Sequence, residues 1–185
     1  MPEQKLGTSD SVSAIVTMRP SVSSTVDVGG KFLDVTCRDK FGNVKWRDTA
    51  KNLVTDLALI DMGNVYFSGS AQTTTWYAGL LDDSPTLTAG STLANASGFT
   101  EFDEYTGNRK EWVEVISGTS WVNNGTSADF VITGAGGGVG GAFICAGATG
   151  TSVLLFCGAA LTGGNRVVAT ADTVAVTYTV ALADA

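Results

Sequence analysis

Residues that favour β-structure recur in short runs separated by Gly, Asn or Asp, and that rhythm sets the first expectation. FLDVTCRD (32–39) reads as a strand able to send Phe32, Val35 and Cys37 to a core, DKFGN (39–43) as a turn, and VKWRD (44–48) as the return strand of a hairpin. In TAKNLVTDLALIDMGN (49–64), Ala50, Leu53, Val54, Leu57 and Ile60 recur at helical spacing. Asp48 or Thr49 is placed to cap that segment and Gly63 to stop it, so a helix is predicted there. VYFSG (65–69) and TTTWYAGLL (73–81) are strand-like, Trp76 being the expected core position of the second, and a loop follows through Asp82, Asp83, Ser84 and Pro85. The small-residue stretch 88–99 has room for one helical turn about Leu93. From Glu111 onward strand follows strand: EWVEVI, TSWV, SADFVIT, GGAFICA, TSVLLFC, NRVVA and TVAVTYTVAL.

This spacing predicts an all-β chain: one β-sandwich or jelly-roll-like domain over 31–185, with one short helix. Residues 1–30 are rich in Ser, Thr and Val, end in Gly29-Gly30, and are expected to form an extended N-terminal arm that orders against a neighbour. The alternation through Val12, Ala14, Val16 and Met18 equally suits a strand of the domain itself. Length and composition agree with one domain, since 185 residues at 44% hydrophobic content suffice for a single core. The 23 glycines against 3 prolines suit many strands joined by tight turns.

Charge narrows the partners. A net charge of -7 and a pI near 4.4 argue against nucleic acid, whose binding relies on Lys and Arg neutralising phosphates. Eight of the eleven basic residues lie between Lys5 and Lys51. Lys5, Arg19, Lys31, Arg38 and Lys40 are therefore the candidate partner-binding residues, suited to an acidic protein surface; a solvated strand face is the plainer reading. The opening MPEQKLGTSDSVSAIVTMRP holds no apolar run of the length a signal peptide or membrane span requires, so cytoplasmic synthesis and no membrane partner are expected. After Glu114 only Asp129, Arg166, Asp172 and Asp184 carry charge. Strands apolar on both faces must be covered on both, which points to further copies of the chain or another protein.

Catalytic chemistry finds little to work with. With no histidine there is no Ser-His-Asp or Cys-His site, and no catalytic residue, cofactor or metal is expected. Cys37, Cys145 and Cys157 form an odd set without C-x-x-C spacing and read as buried small apolar residues. GAGGGVGG (134–141) contains a G-x-G-x-x-G match, but no capped helix or ribose-binding acid follows, so a β-turn or a close strand crossing is the better reading. Asp82-Asp83 and the cluster Glu101, Asp103, Glu104 could hold calcium or act as a glycosidase pair, yet calcium-loop spacing is absent. Trp46, Trp76, Tyr77, Trp112 and Trp121 could form a sugar platform or interface anchors; filling a core of small residues is the plainer role.

The order of several blocks resembles small virion proteins of tailed bacteriophages. KFLDVTCRDKFGNVKWRDTAKNLVTD is similar to that family's strand, D-x-x-G turn, Lys-Trp strand and K-N-L-V helix start. TTWYAGLLDD resembles its W-Y-x-G-L strand, and GFTEFDEYTGNRKEW its G-[WF]-T-E-[FY] segment with a Trp after a basic pair. ADTVAVTYTVAL resembles its closing strand, with Ala171 where the family often has Gly. The resemblance runs from about Lys31 to the C-terminus and assigns no binding residue. It implies a non-enzymatic capsid cement or decoration protein on the virion surface, assembled in the host cytoplasm, binding the major capsid protein as a homo-oligomer, a dimer or trimer. The alternative is a tail- or head-fibre-associated subunit that binds a host-surface glycan, and from a third class, a small glycan-active enzyme using Glu101 with Asp103 or Glu104.

Overall fold

A computed structural model describes residues 26–83, 85–94 and 100–184. The chain is mostly β, folded as two antiparallel sheets face to face. In the first, β1 (Val26–Arg38) lies between β2 (Val44–Lys51) and β13 (Thr173–Asp184); β8 (Ser120–Val122), β7 (Val115–Ser117) and β9 (Ala128–Val131) complete it on the far side of β13. In the second, β10 (Gly137–Cys145) lies between β11 (Leu155–Ala160) and β4 (Tyr77–Asp82). The short strands β3 (Leu53–Val54), β5 (Thr100–Phe102), β6 (Lys110–Glu111) and β12 (Arg166–Val168) extend that sheet.

The predicted hairpin is present, and its turn is chemically specified. Asp39 Oδ1 accepts from the N–H groups of Phe41 (2.9 Å) and Asn43 (2.8 Å), while Gly42 takes the positive φ of 85° that the turn demands. Phe32, Val35 and Cys37 all reach the core although their parity differs, because a register shift between Phe32 and Asp34 inserts one residue and turns the strand over. β13 shows the plain two-residue period: Val174, Val176, Tyr178 and Val180 point inward while the Thr and Ala between them face outward. Opposite them, Ala78, Leu80, Ala142, Ile144, Cys157 and Ala159 of the second sheet close the main core.

The helix is displaced from its expected place. Residues 49–51 continue β2, and Leu53–Val54 pair with Gly158 and Cys157 as β3; α1 runs Asp56–Ser68. Thr55 is the cap in place of Asp48 or Thr49: its Oγ1 accepts from the Ala58 N–H at 3.2 Å and donates to the Leu155 carbonyl at 2.5 Å. Gly69, at φ 68°, ends the helix, so Gly63 sits inside it and VYFS, expected as strand, forms its last turn. The apolar spacing that suggested an earlier start combines Ala50, buried on a strand, with residues of the helix proper. Leu93 lies in a turn, with 95–99 of its stretch outside the described residues, and Trp76 stands just before β4, half-buried, with Ala78, Leu80 and Leu81 filling the core positions instead. Of the arm, 1–25 lie outside the described residues, and Val26–Gly30 pair with Asp184–Val180 of β13 as part of β1.

Both faces of the second sheet are covered within the chain. Its outer face carries a smaller core of Leu81, Phe143, Cys145 and Leu155, closed by Leu93 and flanked by Tyr77 and Val153. Leu87 lies so close over Gly158 that a Cβ there would stand 2.7 Å from its Cδ1. The segment 85–94 thus covers β4, β10 and β11 within the chain, while Val115, Ile116, Val131 and Val167 of the same charge-poor half remain exposed.

Candidate interaction surface

The polar side chains singled out in the sequence are mostly committed to holding the fold. Glu101 accepts a bidentate pair from Arg109, Nε at 2.9 Å and Nη2 at 2.7 Å, and the same guanidinium donates to the Gly147 carbonyl at 3.0 Å and lies over the Phe143 ring. Burial pulls the guanidinium's pKa down, but the Glu101 hydrogen bonds and charge outweigh it and leave it raised. Glu104 accepts from the Ala135 N–H at 2.8 Å, and Asp83 from Asn165 at 2.5 Å; Asp103 is exposed. The acidic cluster is thus split between different partners, and among the described residues no group of three or more His, Cys, Asp or Glu is placed to hold a metal ion.

The glycine run is a close strand crossing. A Cβ on Gly140 would stand 1.7 Å from the Asp83 carbonyl oxygen, and one on Gly141 2.5 Å from that of Ala159. The three cysteines are free and buried. Burial, then the Asp172 charge, pushes the Cys37 thiol up to about 11; burial pushes Cys157 up to about 12. Cys157 donates to the Tyr178 hydroxyl at 3.1 Å, which also accepts from Asn52 at 2.6 Å. Asp48 accepts from the N–H groups of Thr49 and Gly163 and from Arg166; burial pulls its pKa upward, but these bonds prevail and hold it below the usual carboxylate value. Lys45 pairs with Asp172, whose hydrogen bond raises the ammonium's pKa.

Among the expected aromatics, Trp112 is buried, donating to the Tyr178 carbonyl at 3.2 Å. Trp76 packs edge-on to Phe156, Trp46 donates to the Val167 carbonyl, and Trp121 and Tyr77 pack against the cores. No family model, curated protein or solved structure matches the chain. No helix among the described residues is long and apolar enough to cross a membrane. One solvent-open concavity of about 260 Å³ lies among Lys51, Asn52, Leu53, Pro85, Leu87 and Gly158.

Among the described residues, the candidate basic side chains do not gather in one patch. Lys5 and Arg19 lie outside the described residues. Arg38 and Lys40 are exposed at the tip of the β1–β2 hairpin, Arg38 donating to the Gly42 carbonyl and Lys40 lying over the Phe41 ring. Lys31 stands seven residues back along β1, opposite Lys51 and roughly 20 Å away at strand rise. What the fold presents most strongly is apolar. Phe41 is 78% exposed at the hairpin tip, and on α1 Leu57, Leu59, Ile60, Tyr66 and Phe67 are all exposed, the last two at 83%. Ala58 is the one residue of α1 that is fully buried. Sequence reading missed Tyr66 and Phe67 because VYF was assigned to a strand; the signal available was an apolar run too evenly distributed to bury on one side.

Proposed function

We propose that the protein is a non-enzymatic structural component of a tailed-bacteriophage virion, a cement or decoration protein that self-associates and binds the major capsid protein on the outside of the shell. The single observation that supports it most is α1, a thirteen-residue helix with one buried residue and five large apolar side chains in solvent. Exposed apolar residues gathered on one helix, several hundred Å² of them, are of the size that marks interaction sites. The block order from Lys31 to the C-terminus supplies the virion context. The way Glu101, Glu104, Asp48, Asp83 and Asp172 are each tied to a structural partner supports a binding role over a glycosidase centre. Arg38 and Lys40 beside exposed Phe41 suit contact with an acidic capsid surface. Particles assembled without the protein should lose their contents at lower temperature, and at low salt that complete particles withstand, and added protein should restore them. Particles equally robust with and without it sink the proposal.

A further inference from the structure

α1 carries a stripe with no counterpart in the chain's own cores. At about 100° per residue, Leu59, Ile60, Gly63, Tyr66 and Phe67 fall within roughly 120° of arc centred opposite buried Ala58, with Met62, which packs on the main core, at its border. Their spacing, i, i+1, i+4, i+7 and i+8, is that of a helix facing another helix. At the middle of the stripe stands Gly63. A Cβ there would meet nothing within 4 Å, so neither the packing of this chain nor a positive φ requires glycine, which is a poorer helix former than alanine. A second helix crossing at this point would favour it over a large side chain, because small residues let two backbones approach closely.

We propose that α1 is a self-association site: two copies of the chain pack their α1 helices antiparallel across a two-fold axis passing beside Gly63. This deepens the self-association part of the reading above and does not depend on the capsid. The stripe is self-complementary under that operation, since Leu59 and Ile60 of one copy meet Tyr66 and Phe67 of the other while the two glycines cross. Charge selects the same direction. α1 carries Asp56 and Asp61 and no basic residue. Antiparallel packing sets the two Asp56 carboxylates about 20 Å apart at opposite ends, whereas parallel packing, in a dimer or a trimer, brings them together. The area is sufficient: Tyr66 and Phe67 leave roughly 300 Å² exposed and the aliphatic pair brings the stripe to about 500 Å², so two copies reach the ~1,000 Å² that a specific interface needs.

Light scattering on the purified full chain tests this. The wild type should show twice its 19.0 kDa mass. Phe67→Glu and Gly63→Leu, both at positions open in the single chain, should each return the mass to 19.0 kDa with unchanged circular dichroism. Because the native cysteines are buried, Gly63→Cys should give a covalent dimer on oxidation and Asp56→Cys none. A monomeric wild type overturns the proposal, including one whose α1 becomes protected only on mixing with capsid protein. So does a trimer, a dimer that survives Gly63→Leu, or faster cross-linking through Asp56→Cys. A dimer on a protein absent from particles would keep this interface and remove the virion reading.

Discussion

Replacing Gly140 and Gly138 separately by alanine tests the reading of the glycine run as a strand crossing. At Gly140 the added methyl would stand 1.7 Å from the Asp83 carbonyl oxygen and 1.9 Å from its carbon, both backbone atoms that cannot swing aside. The end of β4 must move by more than an ångström to restore contact distance. Overpacking of this kind costs about 3 kcal/mol at the upper end of its range, offset by under ~1 kcal/mol from the stiffer unfolded chain. Gly138 differs. Its nearest neighbour would be the Asn165 side chain at 3.5 Å, an ordinary contact, and its φ is not positive, so alanine gains the strand entropy of about 0.5–1 kcal/mol. For a chain of this size the expected shifts in melting temperature are roughly 4–8 °C downward for Gly140→Ala and 1–4 °C upward for Gly138→Ala. Thermal unfolding followed by near-ultraviolet circular dichroism measures both. Equal shifts, or a Gly140→Ala protein as stable as the parent, would refute the crossing and return the run to a loop role.

Three further outcomes follow from named groups. Ala171 holds a φ of 69°, costly for a residue with a Cβ, so Ala171→Gly should raise stability by about 0.5–1 kcal/mol in urea titration, and a loss would show that the turn is not strained. Folded-state thiol pKa values raised from 9.0 to about 11 at Cys37 and about 12 at Cys157 contribute in full below pH 9 and are lost as pH climbs through those values. The urea midpoint should therefore fall between pH 9 and 11, less steeply in Cys157→Ala, and a thiol reagent at pH 8 should modify no native cysteine until urea is added. Asp48 has a lowered pKa, so its contribution is present above the ordinary carboxylate value and fades as pH falls through the folded one. Asp48→Asn should be the less stable protein at pH 7, with the gap closing in acid; a gap independent of pH would assign the effect to packing alone.

Much of the sandwich is legible in the residues because β-structure advertises itself locally. The hairpin is written in Asp39, Gly42 and Asn43, and the strands after Glu111 appear in order, with EWVEVI divided into β6 and β7. The cysteines are also readable, since count and spacing leave burial as the simple outcome. The helix start is not, because Leu53 and Val54 suit a strand as well as a helix and only their pairing with β11 decides. Nor is the second small core, which depends on Leu93 joining residues of β10 and β11 and on Leu87 reaching Gly158, all distant in sequence. The interaction surface is the least visible feature of all. Leu59, Ile60, Tyr66 and Phe67 have the composition of a core, and only their position on the far side of α1 exposes them.

A density map of the intact phage particle tests the virion assignment most directly. The account predicts a two-sheet domain at high copy number over the outer shell, seated on the major capsid protein. Density for it at a few discrete points such as fibres, or a particle that lacks this polypeptide altogether, would contradict the account.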